Sequence, residues 1–141
     1  MCIRDREKRR IDILRAADVF ILPSLVEGLS ISLLEAMACG AACIATDAGA
    51  DGEVLNDSAG VVIDTQDVTT QLKTLLPLFA QQPEMNILLG NKARQRILER
   101  YTLSKNISRL EQLYSKVTSR KPLAGAMELR ITDSSLKPFN N

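Results

Sequence analysis

Two glutamates and a glycine stand where an apolar strand pattern gives way to a helical one, and their spacing suits a phosphorylated sugar. Glu27 and Gly28 lie in the loop, and Glu35 follows eight residues after Glu27 inside the helix. Carboxylates accept hydrogen bonds from the vicinal hydroxyls of a ribose or hexose. The first N–H groups of a helix are unpaired and attract an anion such as a diphosphate. Glycine lets the backbone approach such a ligand closely.

Glu35 is the least expected residue of this stretch. Its neighbours from Ile31 to Ala38 are mostly apolar, so the pattern predicts a helix buried nearly all round. A carboxylate there is costly unless it finds hydrogen-bond donors, and sugar hydroxyls are donors. The helix rises about 7.5 Å from Ser30 to Glu35, which would let Glu35 reach a ribose. The structural alternative is that Glu35 lies on a solvated face of the helix and that Glu27 only stabilises the turn.

The elements that would hold these residues follow from apolar periodicity. Short apolar runs without alternation at 19–22, 42–45 and 61–63 predict strands that are buried on both faces, as in a parallel sheet. Ser30 is a candidate N-cap and Gly40 a helix stop. Pro77 should kink or shorten its helix. The remaining patterns predict helices over 6–17, 30–39, 53–55, about 64–80, 84–100 and from 104 onward.

The order of these elements predicts an α/β fold with short parallel strands and flanking helices. Three strands are few, and the first helix has no strand before it. The chain therefore resembles the latter part of a doubly wound, Rossmann-like domain, and we expect Met1 to be a fragment boundary. Residues 1–120 are predicted to be that partial domain. Residues 121–141 lack periodicity and are predicted to be a flexible tail.

Composition excludes several classes of site. The 141 residues contain no histidine, which rules out a Ser-His or Cys-His triad and a zinc–histidine site within this chain. We expect no metal and no cofactor. Cys2, Cys39 and Cys43 read as reduced thiols of a cytoplasmic protein. The sequence shows neither a membrane-spanning run nor a signal peptide at its start.

Charge is balanced overall but unevenly distributed. With 18 basic and 17 acidic residues, the chain has no general attraction for nucleic acid. Residues 16–91 carry one basic side chain, Lys73, against ten acidic ones. Basic residues concentrate on the last two helices, which leaves a non-catalytic interaction module or a membrane-surface contact open: Lys92, Arg94, Arg96, Arg100, Lys105, Arg109, Lys116, Arg120 and Lys121.

The stretch 20–40 resembles the C-terminal, donor-binding domain of retaining GT-B glycosyltransferases of the family 4 (group 1) type. The shared pattern is a strand that ends in Pro-Ser, then Glu-Gly, a second Glu eight residues after the first, and Ala-Met-Ala-x-Gly. Flanking matches extend the similarity over roughly residues 12–117: Ala16–Phe20, Ala45–Glu53 and Gly60–Ile63.

That resemblance implies roles for individual residues. Glu35 would bind the ribose hydroxyls of a nucleotide diphosphate sugar, and Glu27 would contact the donor hexose. The backbone amides of Gly28, Leu29 and Ser30 would meet the diphosphate and the sugar. The implied reaction is transfer of a hexose to an unidentified acceptor with retention of anomeric configuration. No catalytic residue is assigned in this chain.

The same resemblance implies parts that this sequence does not show. Family members carry an N-terminal acceptor domain, and an Arg and a Lys that clamp the diphosphate; Arg10 and its basic neighbours lack that context. We therefore expect a fragment that is inactive alone. A lipid-linked or polysaccharide acceptor and peripheral contact with the inner membrane face are compatible with the family. An epimerase or phosphorylase on the same fold is the competing enzyme class, and a non-catalytic nucleotide-sugar-binding module is the competing non-enzyme.

Overall fold

A computed structural model of the chain describes residues 3–118, with side chains described from residue 8 onward. The strands are β1 (Val19–Leu22), β2 (Ala42–Thr46) and β3 (Val61–Ile63). The helices are α1 (Ile3–Ala16), α2 (Ile31–Cys39), α3 (Asp51–Leu55), α4 (Val68–Gln81), α5 (Pro83–Arg100) and α6 (Leu103–Thr118). The predicted tail, 121–141, and Cys2 lie outside the described residues. Residues up to Asn106 form one compact unit, and a second unit begins at Ile107.

The three strands form one parallel sheet in the order β1-β2-β3. Val19 is in register with Ala42, and Ile44 is in register with Val61. The central strand β2 is buried along its whole length. Parallel strands of this kind need both faces covered, which explains their continuous apolar runs. The predicted α/β class with short parallel strands and flanking helices is confirmed.

The two faces of β2 enter two separate apolar clusters, because successive side chains of a strand point to opposite sides. Cys43 and Ala45 belong to one cluster, and Ala42 and Ile44 belong to the other. The first cluster also contains buried residues of α2, α3 and α5: Leu33, Ala36, Met37, Val54, Leu55, Ala93 and Ile97. The second also contains Ile63 and Phe79. Helices therefore cover both faces of the sheet, as in a doubly wound domain.

The helix that contains Pro77 ends close to where the sequence predicts. Proline lacks the N–H that would bond the carbonyl four residues earlier, so a kinked or shortened helix was expected. In the structure, α4 continues past Pro77 to Gln81, so it is not shortened. Phe79, two residues after Pro77, is buried in the second apolar cluster, which holds this segment against the sheet. Within the described residues, no helix is both long enough and apolar enough to cross a membrane.

Candidate functional site

The junction between β1 and α2 places the predicted site residues at the carboxyl edge of the sheet. Ser30 is the N-cap of α2, with an extended backbone, and its Oγ accepts a hydrogen bond from the Leu33 amide at 3.4 Å. Gly40 ends the helix in the left-handed conformation, at φ 85°. Both caps are confirmed. The N-terminus of α2 therefore lies where ligands bind in open α/β sheets.

Glu27 is held within the β1–α2 loop by a local hydrogen bond. The hydroxyl of Ser24 donates to Glu27 Oε1 at 2.9 Å, and Glu27 is half-buried. The preceding residue, Val26, is 88% exposed. The carboxylate is thus oriented by its own loop while the surrounding surface stays accessible.

Gly28 and Leu29, like Val26, are exposed residues of this loop. No protein atom among the described residues lies within 4 Å of the position that a Cβ at Gly28 would occupy. Leu29 is 44% exposed. The backbone at Gly28 is therefore open to solvent, and its amide region is accessible to an anion.

The β2–α3 loop braces the β1–α2 loop from behind. The Ala50 amide donates to the Gly28 carbonyl at 2.8 Å. The Thr46 hydroxyl, buried at the end of β2, donates to the Ser24 carbonyl. These bonds join residues more than 20 positions apart, so the loop geometry depends on the sheet as well as on local turn chemistry.

Gly49 fits against the same loop with no room for a side chain. Its φ is +60°, and a Cβ at this position would collide with the carbonyl oxygens of Glu27 and Gly28. Only glycine combines that backbone conformation with so close an approach. The match of this residue to the family pattern was noted from the sequence, whereas its contact with Glu27 was not.

Asp51 is the site residue that sequence reasoning missed. Its carboxylate is 1% exposed, and Oδ1 accepts a hydrogen bond from the Ser30 amide at 2.9 Å. Asp51 lies in the first turn of α3, where an acidic residue is favoured by the dipole of that helix. This local explanation gave no reason to expect a contact with another element. The amide that the resemblance assigned to the donor is therefore bonded to the protein's own carboxylate.

The burial of α2 differs from the prediction. Only Leu33, Ala36 and Met37 are buried, and Ile31 is 71% exposed. The expectation of a helix buried nearly all round is therefore met only in part. Leu34 and Ala38 are partly buried against the core, whereas the first turn, at Ile31 and Ser32, is exposed. Glu35 accordingly occupies a half-buried position.

Glu35 is bonded to a cation from α1. Arg10 Nη2 lies 2.7 Å from Glu35 Oε1, with the two side chains 54% and 24% exposed respectively. Arg10 thus supplies the hydrogen-bond donor that a half-buried carboxylate needs. No role was assigned to Arg10 from the sequence. Glu27, Gly28, Leu29 and Ser30 share one loop, whereas Glu35 lies about 7.5 Å along the helix from Ser30.

Cavities beside the sheet are lined by residues other than the candidate residues. One of about 520 Å³ lies at the amino edge and is lined in part by Asp18, Phe79 and Asn86. Another of about 440 Å³ lies at the carboxyl edge beside Asp47 and Asp64. The candidate residues line neither of these two cavities.

The described cysteines and carboxylates give no sign of a metal or thiolate centre. Burial raises the pKa of the Cys43 thiol to about 12, which keeps it protonated and unreactive. Among residues with described side chains, no three His, Cys, Asp or Glu side chains are grouped to hold a metal ion.

Part of the basic run on α5 has a structural use. Arg94 Nη1 donates to the Ala38 carbonyl at 2.7 Å. Arg96 is buried and donates to the Asp57 carboxylate at 2.9 Å. The Arg96 guanidinium, with a smaller contribution from Arg100, holds the pKa of Asp57 below its usual value. Arg94 and Arg96 therefore join elements of the fold. Only Arg96 is buried and paired with a carboxylate, whereas Arg94 bonds a neutral carbonyl and keeps its charge at the surface.

Several known proteins are similar in sequence to this chain. An alpha-1,3-galactosyltransferase from Escherichia coli, specific by its name for UDP-Gal and GlcNAc-diphosphoundecaprenol, is 31% identical over 78% of this chain. Alpha-maltose-1-phosphate synthase from Mycolicibacterium smegmatis is 32% identical over 77% of it. The alignments span only 28% and 30% of those two relatives.

A solved structure shares the fold. Sucrose-phosphate synthase from Thermosynechococcus elongatus superimposes with a TM-score of 0.66 and 26% identity, over 75% of this chain and 27% of that one. The α/β arrangement is thus the Rossmann-like fold of GT-B enzymes. The family model described as glycosyl transferases group 1 matches residues 4–96. This chain belongs to the group 1 glycosyl transferase family.

Proposed function

We propose that this chain is the donor-binding part of a retaining hexosyltransferase that uses a nucleotide diphosphate sugar. The observation that carries the proposal is the braced loop at the N-terminus of α2. There, Ser24 orients the Glu27 carboxylate, and the β2–α3 loop fixes the backbone at Gly28. Rigidly placed amides and carboxylates at a helix N-terminus favour a ligand that combines phosphate with sugar hydroxyls.

Each group has a separate part of the donor to recognise. The diphosphate lies against the exposed amides at the start of α2, and the hexose extends towards Glu27. The ribose hydroxyls reach Glu35 and share its carboxylate with Arg10, an exposed ion pair that a hydroxyl can enter at small cost. The base and the hexose are not selected by any contact described above, so the donor is proposed as a class.

The acceptor and the completed active site are proposed to involve protein beyond this chain. Each of the two relatives described above is more than three times as long as the segment that aligns here. The printed names of relatives include acceptors linked to diphosphoundecaprenol, from Escherichia coli and Campylobacter jejuni. We propose a lipid-linked or polysaccharide acceptor, a cytoplasmic protein that contacts the inner membrane face, and a chain that binds donor without transferring it.

Donor binding is tested by ¹⁵N-resolved NMR of the 141-residue chain, titrated separately with UDP-glucose, GDP-mannose and ADP-glucose to about 10 mM, which detects dissociation constants in the millimolar range. The expected result is a set of shifts centred on Gly28, Leu29, Ile31, Ser32 and Glu35 for at least one donor. Absence of shifts with all three donors would contradict the proposal.

The Glu35 assignment needs its own variant. Glu35→Gln keeps the side-chain shape and removes the charge that favours sugar hydroxyls. We expect about a fivefold to tenfold weaker affinity, as when a charge-assisted hydrogen bond is replaced by a neutral one. Glu84→Gln is the matched control, because it removes an exposed carboxylate in the first turn of α5. Equal affinity in the Glu35 and Glu84 variants would refute the ribose role.

Retention is tested on a version of the protein that includes the acceptor-binding part. The anomeric proton of the first-formed product is followed by NMR from an α-linked donor. We expect an α-linked product, and an initial β-linked product would identify an inverting enzyme instead.

A further inference from the structure

The geometry points to a role for the Asp51 carboxylate in the proposed donor site. It accepts the hydrogen bond of the Ser30 amide and, through its negative charge, limits how strongly the N-terminus of α2 attracts a diphosphate. This role rests on the proposed function, because it concerns the same helix N-terminus. Asp51 would be a positioning and tuning residue, since it acts through the backbone of the binding loop.

The burial of Asp51 is the first observation. Its side chain is 1% exposed, Oδ1 lies 2.9 Å from the Ser30 nitrogen, and Oδ2 is buried with no hydrogen-bond partner in the described structure. A buried carboxylate with one unsatisfied oxygen carries a desolvation penalty. The positive end of α2 offsets part of that penalty, because the carboxylate sits at its N-cap amide.

The second observation is that two of the first amides of α2 already have acceptors within the protein. The Ser30 amide is bonded to Asp51, and the Leu33 amide is bonded to Ser30 Oγ. For the amides of Ile31 and Ser32, the described part of the chain shows no acceptor. Both of these residues are exposed. The Ile31 and Ser32 amides are therefore available to a diphosphate. The Ser30 amide, which the resemblance assigned to the diphosphate and sugar, is already occupied.

A phosphate bound by the Ile31 and Ser32 amides would lie one or two residues along α2 from the Ser30 amide, and therefore near the Asp51 carboxylate that accepts from that amide. Two negative charges at that separation repel each other, and salt weakens this repulsion where solvent has access. Asp51 thus opposes the anion while it fixes the loop that binds it. The balance keeps the site ordered and its affinity for free nucleoside diphosphate low, which favours release of the product.

Asp51→Asn separates these two effects. The amide oxygen can still accept the Ser30 N–H, while the negative charge is lost. We expect the affinity for UDP and for inorganic pyrophosphate to rise about threefold to tenfold at low ionic strength, with the gain shrinking as salt is added. Asp64→Asn is the matched control, because Asp64 also accepts a backbone amide, that of Gln66 at 2.8 Å, but lies on the neighbouring β3 side.

The experiment is a ¹⁵N NMR titration of the wild-type chain and both variants with UDP and with pyrophosphate. In the wild type, the Ile31 and Ser32 amides should shift strongly and the Ser30 amide little; this part needs no variant to fold. Equal shifts at all three amides would overturn the role of Asp51.

The affinities separate this inference from the proposed function. If the wild type binds and Asp51→Asn binds no more tightly, the role of Asp51 is wrong while donor binding stands. If only Asp51→Asn binds, the restraint by Asp51 is supported and wild-type donor binding is contradicted. If neither binds, both fail.

Discussion

The Arg10 guanidinium lies 2.7 Å from the Glu35 carboxylate, so the glutamate proposed to bind ribose is already paired with a cation from α1. The pair joins residues 25 positions apart, and Arg10 is more than half exposed. Exposed ion pairs contribute little to stability because water and salt screen them. Glu35 is therefore held in place by an interaction that a ligand can share or replace.

Arg10→Gln tests whether the Arg10–Glu35 ion pair contributes little to stability. The free energy of unfolding should fall by less than about 1 kcal/mol, as for other exposed pairs. Urea denaturation measures the change, and Arg9→Gln, an exposed neighbour on α1, serves as the control. A loss above about 2 kcal/mol relative to that control would show that Glu35 is bound structurally, and would weaken its assignment to a ribose.

Gly49→Ala should destabilise the protein by about 2–4 kcal/mol, because a left-handed non-glycine residue and a steric collision add together. The new Cβ would press on the carbonyls of Glu27 and Gly28 and displace the proposed donor loop. Gly28→Ala is the matched change in open space and should alter stability by no more than about 0.5 kcal/mol. Similar denaturation midpoints for the two variants would contradict this account.

Local rules predicted the framework of the site well. The Ser30 N-cap, the Gly40 stop and the apolar strand at Val19–Leu22 all depend on residues close in sequence, and each is confirmed. The loop at Glu27 was located for the same reason, since it lies between a strand and a helix that both have clear signals.

The contacts made inside that framework could not be predicted in the same way. Asp51 reaches Ser30 across 21 positions, and its place at the start of a short helix gave a sufficient local explanation for its charge. Arg10 sat in a basic run with no distinguishing neighbour. The exposure of Ile31 was missed because an apolar residue within an apolar run gives no local sign that it faces solvent.

Cys43 should make stability fall at alkaline pH. Burial raises its pKa from 9.0 to about 12, so between these values the unfolded chain loses the thiol proton while the folded chain keeps it. The stabilisation from the protonated Cys43 thiol is complete below pH 9 and is lost as the pH rises towards 12, by about 1 kcal/mol near pH 10. Urea titrations at several pH values should show a shallower decline for Cys43→Ala. Parallel declines in the two proteins would refute this assignment.

Ser58→Gly should stabilise the loop between α3 and β3. Asp57 and Ser58 both adopt positive φ, at 57° and 66°, a conformation that costs a non-glycine residue about 1–2 kcal/mol. Glycine removes that strain but loses more freedom on folding, so the expected net gain is about 0.5–1 kcal/mol.

Asp57→Gly is the matched variant for that loop. It relieves the same kind of strain but removes the carboxylate that accepts a 2.9 Å hydrogen bond from Arg96. The Arg96 guanidinium is buried, and its Nε already has no partner in the described structure. Its denaturation midpoint should therefore lie below that of Ser58→Gly. If Asp57→Gly were the more stable of the two, strain at Asp57 would outweigh the ion pair, and Arg96 would not be what holds this loop to α5.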